Sequence, residues 1–170
     1  MTFLRLILSP TYILITDFSK TYILSADDWF HILFRLSLSL LVGSIIGLER
    51  QLRHKPAGLR THAMVSLGSA LFVIIPLALN NTPNYDSVSR VIQGIAAGVG
   101  FLGTGEILRQ NSQDLVGVEV SGLTSAAAIW VSSALGIAAG CGLWQISLMG
   151  ALLAYLILRI VYNFEHHRKH

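Results

Sequence analysis

Residues 91–109 read V-I-Q-G-I-A-A-G-V-G-F-L-G-T-G-E-I-L-R, and the way this stretch folds decides the architecture. It carries Gly94, Gly98, Gly100, Gly103 and Gly105 and no charged side chain before Glu106. In a soluble helix each interior glycine costs about 1 kcal/mol relative to alanine. In a bilayer small residues let neighbouring helix backbones approach closely. Gly94 and Gly98 have the small-xxx-small spacing of that packing, and Ala97 widens the contact face. The stretch is therefore either the buried central helix of a membrane bundle or a broken helix lining a cavity.

The rest of the chain agrees with a membrane setting. Only 12% of its 170 residues are charged, against about 25% in soluble domains. Residues 61–79 and 121–158 contain no Asp, Glu, Lys or Arg, and a helical span needs about 20 mostly apolar residues. Cys141 is a lone cysteine, which excludes an internal disulfide and a multi-cysteine metal site. The net charge of +3 comes from basic residues that flank apolar segments, as topology determinants do. They form no nucleic-acid footprint, and no cofactor motif is present. The G-x-G-x-x-G-x-G register at 98–105 lacks the strand, helix start and acidic partner of a dinucleotide fold.

The expected fold is an all-α, polytopic transmembrane bundle of about five spans: 29–48, 61–79, 91–109, 121–139 and 143–161. Residues 1–25 read as an amphiphilic segment lying on the membrane, 26–163 as the transmembrane domain, and 164–170 as a basic cytoplasmic tail. The positive-inside rule puts Arg50, Arg53, Lys55, Arg60, Arg109, Arg159, Arg168 and Lys169 in the cytoplasm, opposite Arg5, Lys20, Arg35 and Arg90. That is an N-out, C-in chain. The leucine-rich fifth span is expected to face lipid.

Four blocks then carry a resemblance: G-S-I-I-G-L-E-R (43–50), A-G-L-R-T-H-A-M-V-S-L-G (57–68), G-V-G-F-L-G-T-G (98–105) and S-G-L-T-S-A-A-A-I-W (121–130). In order and spacing they resemble the MgtC/SapB family of bacterial inner-membrane proteins. The resemblance implies a five-helix membrane domain with a cytoplasmic C-terminus and a regulatory role, not an enzymatic one, in growth under magnesium limitation. It also implies intracellular survival in pathogens and, as partner, the F-type ATP synthase in place of direct magnesium transport. Longer members carry a soluble C-terminal domain that this sequence does not show, so the activity is expected in the membrane part. Glu106 stands where members usually have an apolar residue.

Several polar residues are singled out. Asp27, His31 and Arg35 share a helical face with Ser39, Gly43 and Gly47, which is expected to face protein. Arg35 either snorkels to a headgroup or is a functional buried arginine, and Asp27 or Asp28 caps the span. Glu49 and Glu106 are expected to pair with Arg50, Arg60 or Arg109 at the cytoplasmic rim, or each to anchor its helix end. Thr61 reads as the cap of span two and His62 as a hydrogen-bonded packing histidine. Asp86 and Arg90 read as an i,i+4 pair, Thr124 and Ser125 as helix-bonding hydroxyls, and Trp130 as a packing wedge or cavity wall. Tight packing is expected at Gly43, Gly47, Gly122 and the glycines of span three, with a homodimer as a further expectation. The rival reading is a channel or carrier built on Gln93, Thr104 and Glu106.

Overall fold

The computed structural model describes residues 28–79, 85–111 and 122–167, with the side chains of 109–111 and 161–167 left aside. The N-terminal segment, residues 168–170 and the Arg109 side chain lie outside the described residues. Among those residues the chain is all-helical: α1 (Trp29–Leu52), α2 (Leu59–Leu79), α3 (Tyr85–Asn111), α4 (Leu123–Gly140) and α5 (Trp144–His167). The first four are long and apolar enough to cross a membrane, and α5 adds a shorter apolar run, Trp144–Ile160.

The two short turns are built alike. At the end of α1, Lys55 N–H donates to the Arg50 carbonyl and His54 N–H to that of Gln51. After α4, Leu143 N–H donates to Ala138 and Gly142 N–H to Ala139. Both are Schellman stops, which need a left-handed residue after the helix. Gly142 (φ 81) supplies it without strain, whereas His54 (φ 53) is the one non-glycine with positive φ among the described residues. Each stop reverses the chain into an antiparallel neighbour.

The bundle is inside-out relative to a soluble protein. Phe101 is 80% exposed, and Phe34, Phe72, Leu152 and Ile157 also face outward. Inside, Ser39, Ser66, Ser132 and Ser147 are fully buried. Water would drive the apolar side chains inward; a bilayer removes that force and leaves packing and polar bonds to hold helices together. The serines bond across the bundle: Ser66 Oγ to the Ser39 carbonyl at 2.7 Å, Ser69 to Ser133 at 2.8 Å, and Ser147 to the Leu135 carbonyl at 3.0 Å.

Two glycine pairs clamp α2. A Cβ at Gly43 would meet the His62 carbonyl at 2.7 Å, and one at Gly47 the Leu59 Cα at 2.7 Å. From α4, Gly140 stands 2.8 Å from the Ala70 carbonyl by the same measure, and Gly136 faces the carbonyl of Ser66, whose side chain Gly43 also approaches. Each pair has i,i+4 spacing, the geometry of close backbone approach.

The centre of the bundle is α4, which touches all four other helices. This corrects the expectation that span three is the buried centre. Helix α3 is continuous, packs on α4 and only lightly on α2. Among the described residues nothing lies within 4 Å of a Cβ built at Gly94, Gly98, Gly100 or Gly105, whereas one at Gly103 would meet Ala126 at 3.3 Å. Helix α4 buries many small residues, Ser125, Ala128, Ser132, Ser133, Gly136, Ala139 and Gly140 among them, whereas α3 packs through Ile95 and Val99 and turns most of its glycines outward. The outward face of α5 follows the leucine-rich expectation.

Candidate functional site

The ends of α1 and α3 and the starts of α2 and α4 meet at one end of the bundle, and a charged cluster occupies it. Arg50 continues the buried α1 face of Arg35, Ser39, Gly43 and Gly47, and is 4% exposed. Its Nη2 donates to Ser125 Oγ at 2.9 Å. It interacts electrostatically with Glu49 and Glu106, and with His62. Glu49, 5% exposed, accepts from Arg53 Nε at 3.3 Å through Oε1. His62 is fully buried, with Nδ1 2.8 Å from Ser132 Oγ.

This cluster is incompletely bonded. Among the described residues, Glu49 Oε2, Arg50 Nε, His62 Nε2 and Glu106 Oε1 are buried with no hydrogen-bond partner. Burying a charge costs several kcal/mol unless it is paired and hydrogen-bonded, and buried polar atoms are normally satisfied. Acceptors and donors left open together mark a place that can take further polar groups, a water or a proton among them. Among the described residues no group of three or more His, Cys, Asp or Glu assembles to hold a metal ion.

A second buried arginine sits at the opposite end. Arg35 is 5% exposed and its Nη1 donates to the Gly140 carbonyl at 3.0 Å. It does not snorkel. It closes the C-terminus of α4, where backbone carbonyls lack helical partners and a cation is favoured. His31, on the same α1 face, is exposed, and Asp27 lies outside the described residues.

Other expectations are corrected. Arg50 interacts electrostatically with both Glu49 and Glu106, but the ion pair of Glu49 is with Arg53, one turn on in its own helix, and Arg60 is exposed. Thr61 is exposed and already inside α2; the free amide of Leu59 is met by Gln51 Oε1 at 3.3 Å. Asp28 occupies the N-cap of α1 but makes no side-chain cap bond. Asp86 and Arg90 are both exposed and form no ion pair, since a solvated pair gains little from closing. Thr124 is exposed, and its neighbour Ser125 makes the bond to Arg50. Trp130 is 53% exposed on the exterior. Gly122, with φ 92, is the turn residue that precedes α4. Gln93 and Thr104 bond within α3, to Ser89 and to the Gly100 carbonyl.

Sequence reasoning missed Ser132 and the pair Gly136 and Gly140. The i,i+4 spacing of that pair was a usable signal; the match between Ser132 and His62 had none. Also unforeseen is an apolar groove of about 630 Å³ between α2 and α3, lined by Gly68 and Phe72 on one side and Gly94, Gly98 and Leu102 on the other.

Comparison with known proteins follows the same segment. Residues 36–167 match the profile of the MgtC family. SrpB of Synechococcus elongatus is 46% identical over 79% of this chain and 77% of its own length. YhiD of Escherichia coli K12, named as a candidate magnesium transporter, is 38% identical over 77% of this chain and 60% of its own. MgtC of Salmonella typhimurium is 36% identical over 76% and 53%. The chain thus spans little more than half the length of the last two. No solved structure matches.

Proposed function

The chain belongs to the MgtC family, and on that premise we propose that it is a regulator seated in the bacterial inner membrane, N-out and C-in, that works by contact with another membrane protein. It helps the cell meet magnesium limitation or altered energy status and is not an enzyme. The observation that carries this reading is the small-residue face of α3: Gly94, Gly98 and Gly105 lie on one side of an unbroken helix, with no described residue against them, beside the apolar groove. Such a face accepts a further transmembrane helix at close range. The F-type ATP synthase is the partner the family resemblance implies, and a second copy of this chain is the other.

The test places a photo-crosslinking residue at Ala97 in native membranes. Capture of one membrane protein, lost in Gly98→Leu while the fold is kept, supports the reading. Absence of any specific adduct speaks against it.

The rival reading, an ion channel or carrier, draws on Glu106, whose Oε1 is buried and unbonded near Arg50, and on the name of YhiD. An unbroken α3 beside an apolar groove gives it less support. Saturable magnesium flux into proteoliposomes that vanishes with Glu106→Gln would establish it over regulation.

A further inference from the structure

On the outside of the charged end, between α1 and α5, lies a separate pocket of about 400 Å³. Its wall is Ile45, Leu48 and Leu52 of α1, and its polar part is Glu49 and Arg53 with Tyr155 and Arg159 of α5. Both leucines are well exposed, so the wall is continuous with the bilayer-facing surface. Arg159 Nη1 donates to the Tyr155 hydroxyl at 2.5 Å and its guanidinium stands 5.8 Å from the ring centroid. Tyrosine thus holds the arginine over the pocket, with most of its five N–H donors still turned outward.

The chemistry is asymmetric. Two guanidiniums face one carboxylate, which leaves one positive charge in excess, and they stand beside a branched apolar wall. A soluble anion would have no use for that wall, and a packed helix would want small residues where Ile45, Leu48 and Leu52 stand. A phosphodiester with two acyl chains matches both halves: guanidinium binds phosphate oxygens in a bidentate way, and basic pockets between transmembrane helices take anionic headgroups. We infer that the α1–α5 pocket binds an anionic phospholipid, its phosphodiester on Arg159 and Arg53 and its chains along Ile45 and Leu48.

The full chain is reconstituted in phosphatidylcholine vesicles containing a minority of phosphatidylglycerol, and the lipid retained after extraction is read by native mass spectrometry. Phosphatidylglycerol is retained in preference. Arg159→Gln lowers its retention about fivefold, in line with one basic residue near a lipid surface; Arg159→Lys recovers part of it. Arg60→Gln, an exposed arginine outside the pocket, changes nothing. Arg53→Gln also breaks the pair with Glu49, so Arg159, which bonds Tyr155 within its own helix, carries the test. Equal retention of the two lipids overturns the inference. So does indifference to Arg159→Gln, or displacement of the lipid by inorganic phosphate.

Discussion

Gly136→Ala puts the α2 clamp to its sharpest test. The added methyl points at the backbone of Ser66, with the carbonyl carbon at 2.7 Å, Cα at 2.8 Å and the oxygen nearer still. No side-chain rotation relieves a backbone clash, so α2 and α4 must separate. Forcing a methyl into a packed interior costs about 1–3 kcal/mol, and alanine returns up to about 1 kcal/mol through helix propensity. A net loss of about 1–2 kcal/mol lowers the melting temperature of a chain this size by about 2–8 °C. Gly98→Ala is the internal comparison, because it gains the same propensity and meets nothing within 4 Å. It should raise the midpoint of the monomeric protein in detergent by about 2–4 °C. Both are read by circular dichroism on heating in one detergent. The reasoning is refuted if Gly136→Ala melts at or above the parent, or if Gly98→Ala falls as far as Gly136→Ala.

Further expectations concern the arginines and His62. Arg50→Met strips the counter-charge from Glu49 and Glu106 and a donor from Ser125; it should cost about 3–5 kcal/mol in denaturant titration, while exposed Arg60→Met stays within about 0.5 kcal/mol. A double-mutant cycle of His62→Ala and Ser132→Ala should return a coupling of about 0.5–1.5 kcal/mol, and additive effects would deny the bond. Arg35→Met frees the Gly140 carbonyl and should cost about 1.5–3 kcal/mol; maleimide labelling of the buried Cys141 beside it should accelerate, and an unchanged rate would count against the α4 cap.

Element positions were legible because bilayer length and charge exclusion are one-dimensional constraints. The charge-free runs and the basic residues that flank them bound α1 and α2 to within a few residues. The roles of the glycines were not legible. A glycine that touches another backbone and one that faces outward look alike in a sequence, and density favoured 94–105 over the sparser Gly136 and Gly140. What separates them is which helix has bulk elsewhere: Ile95 and Val99 hold α3 on one side and leave its glycines outside. The charged end was legible in membership but not in pairing. Glu49, Arg50, His62 and Glu106 could be named from their place near span ends, yet the choice of Arg53 for Glu49 and of Ser125 for Arg50 depends on rotation about helix axes.

The clamp on α2 has a consequence for the order in which the chain assembles as it is made. Gly43 and Gly47 allow α1 and α2 to close as a hairpin as soon as both are in the bilayer. The stretch of α2 around Ser66 and Ala70 must then stay open to α4, because Gly136 and Gly140 pack against its backbone. Helix α3 is synthesised in between and touches α2 only lightly, so it waits at the side while its successor takes the central place. A ribosome stalled after α3 would leave a hairpin with a bare flank and an unanchored third helix, the state at which a membrane chaperone has most to do.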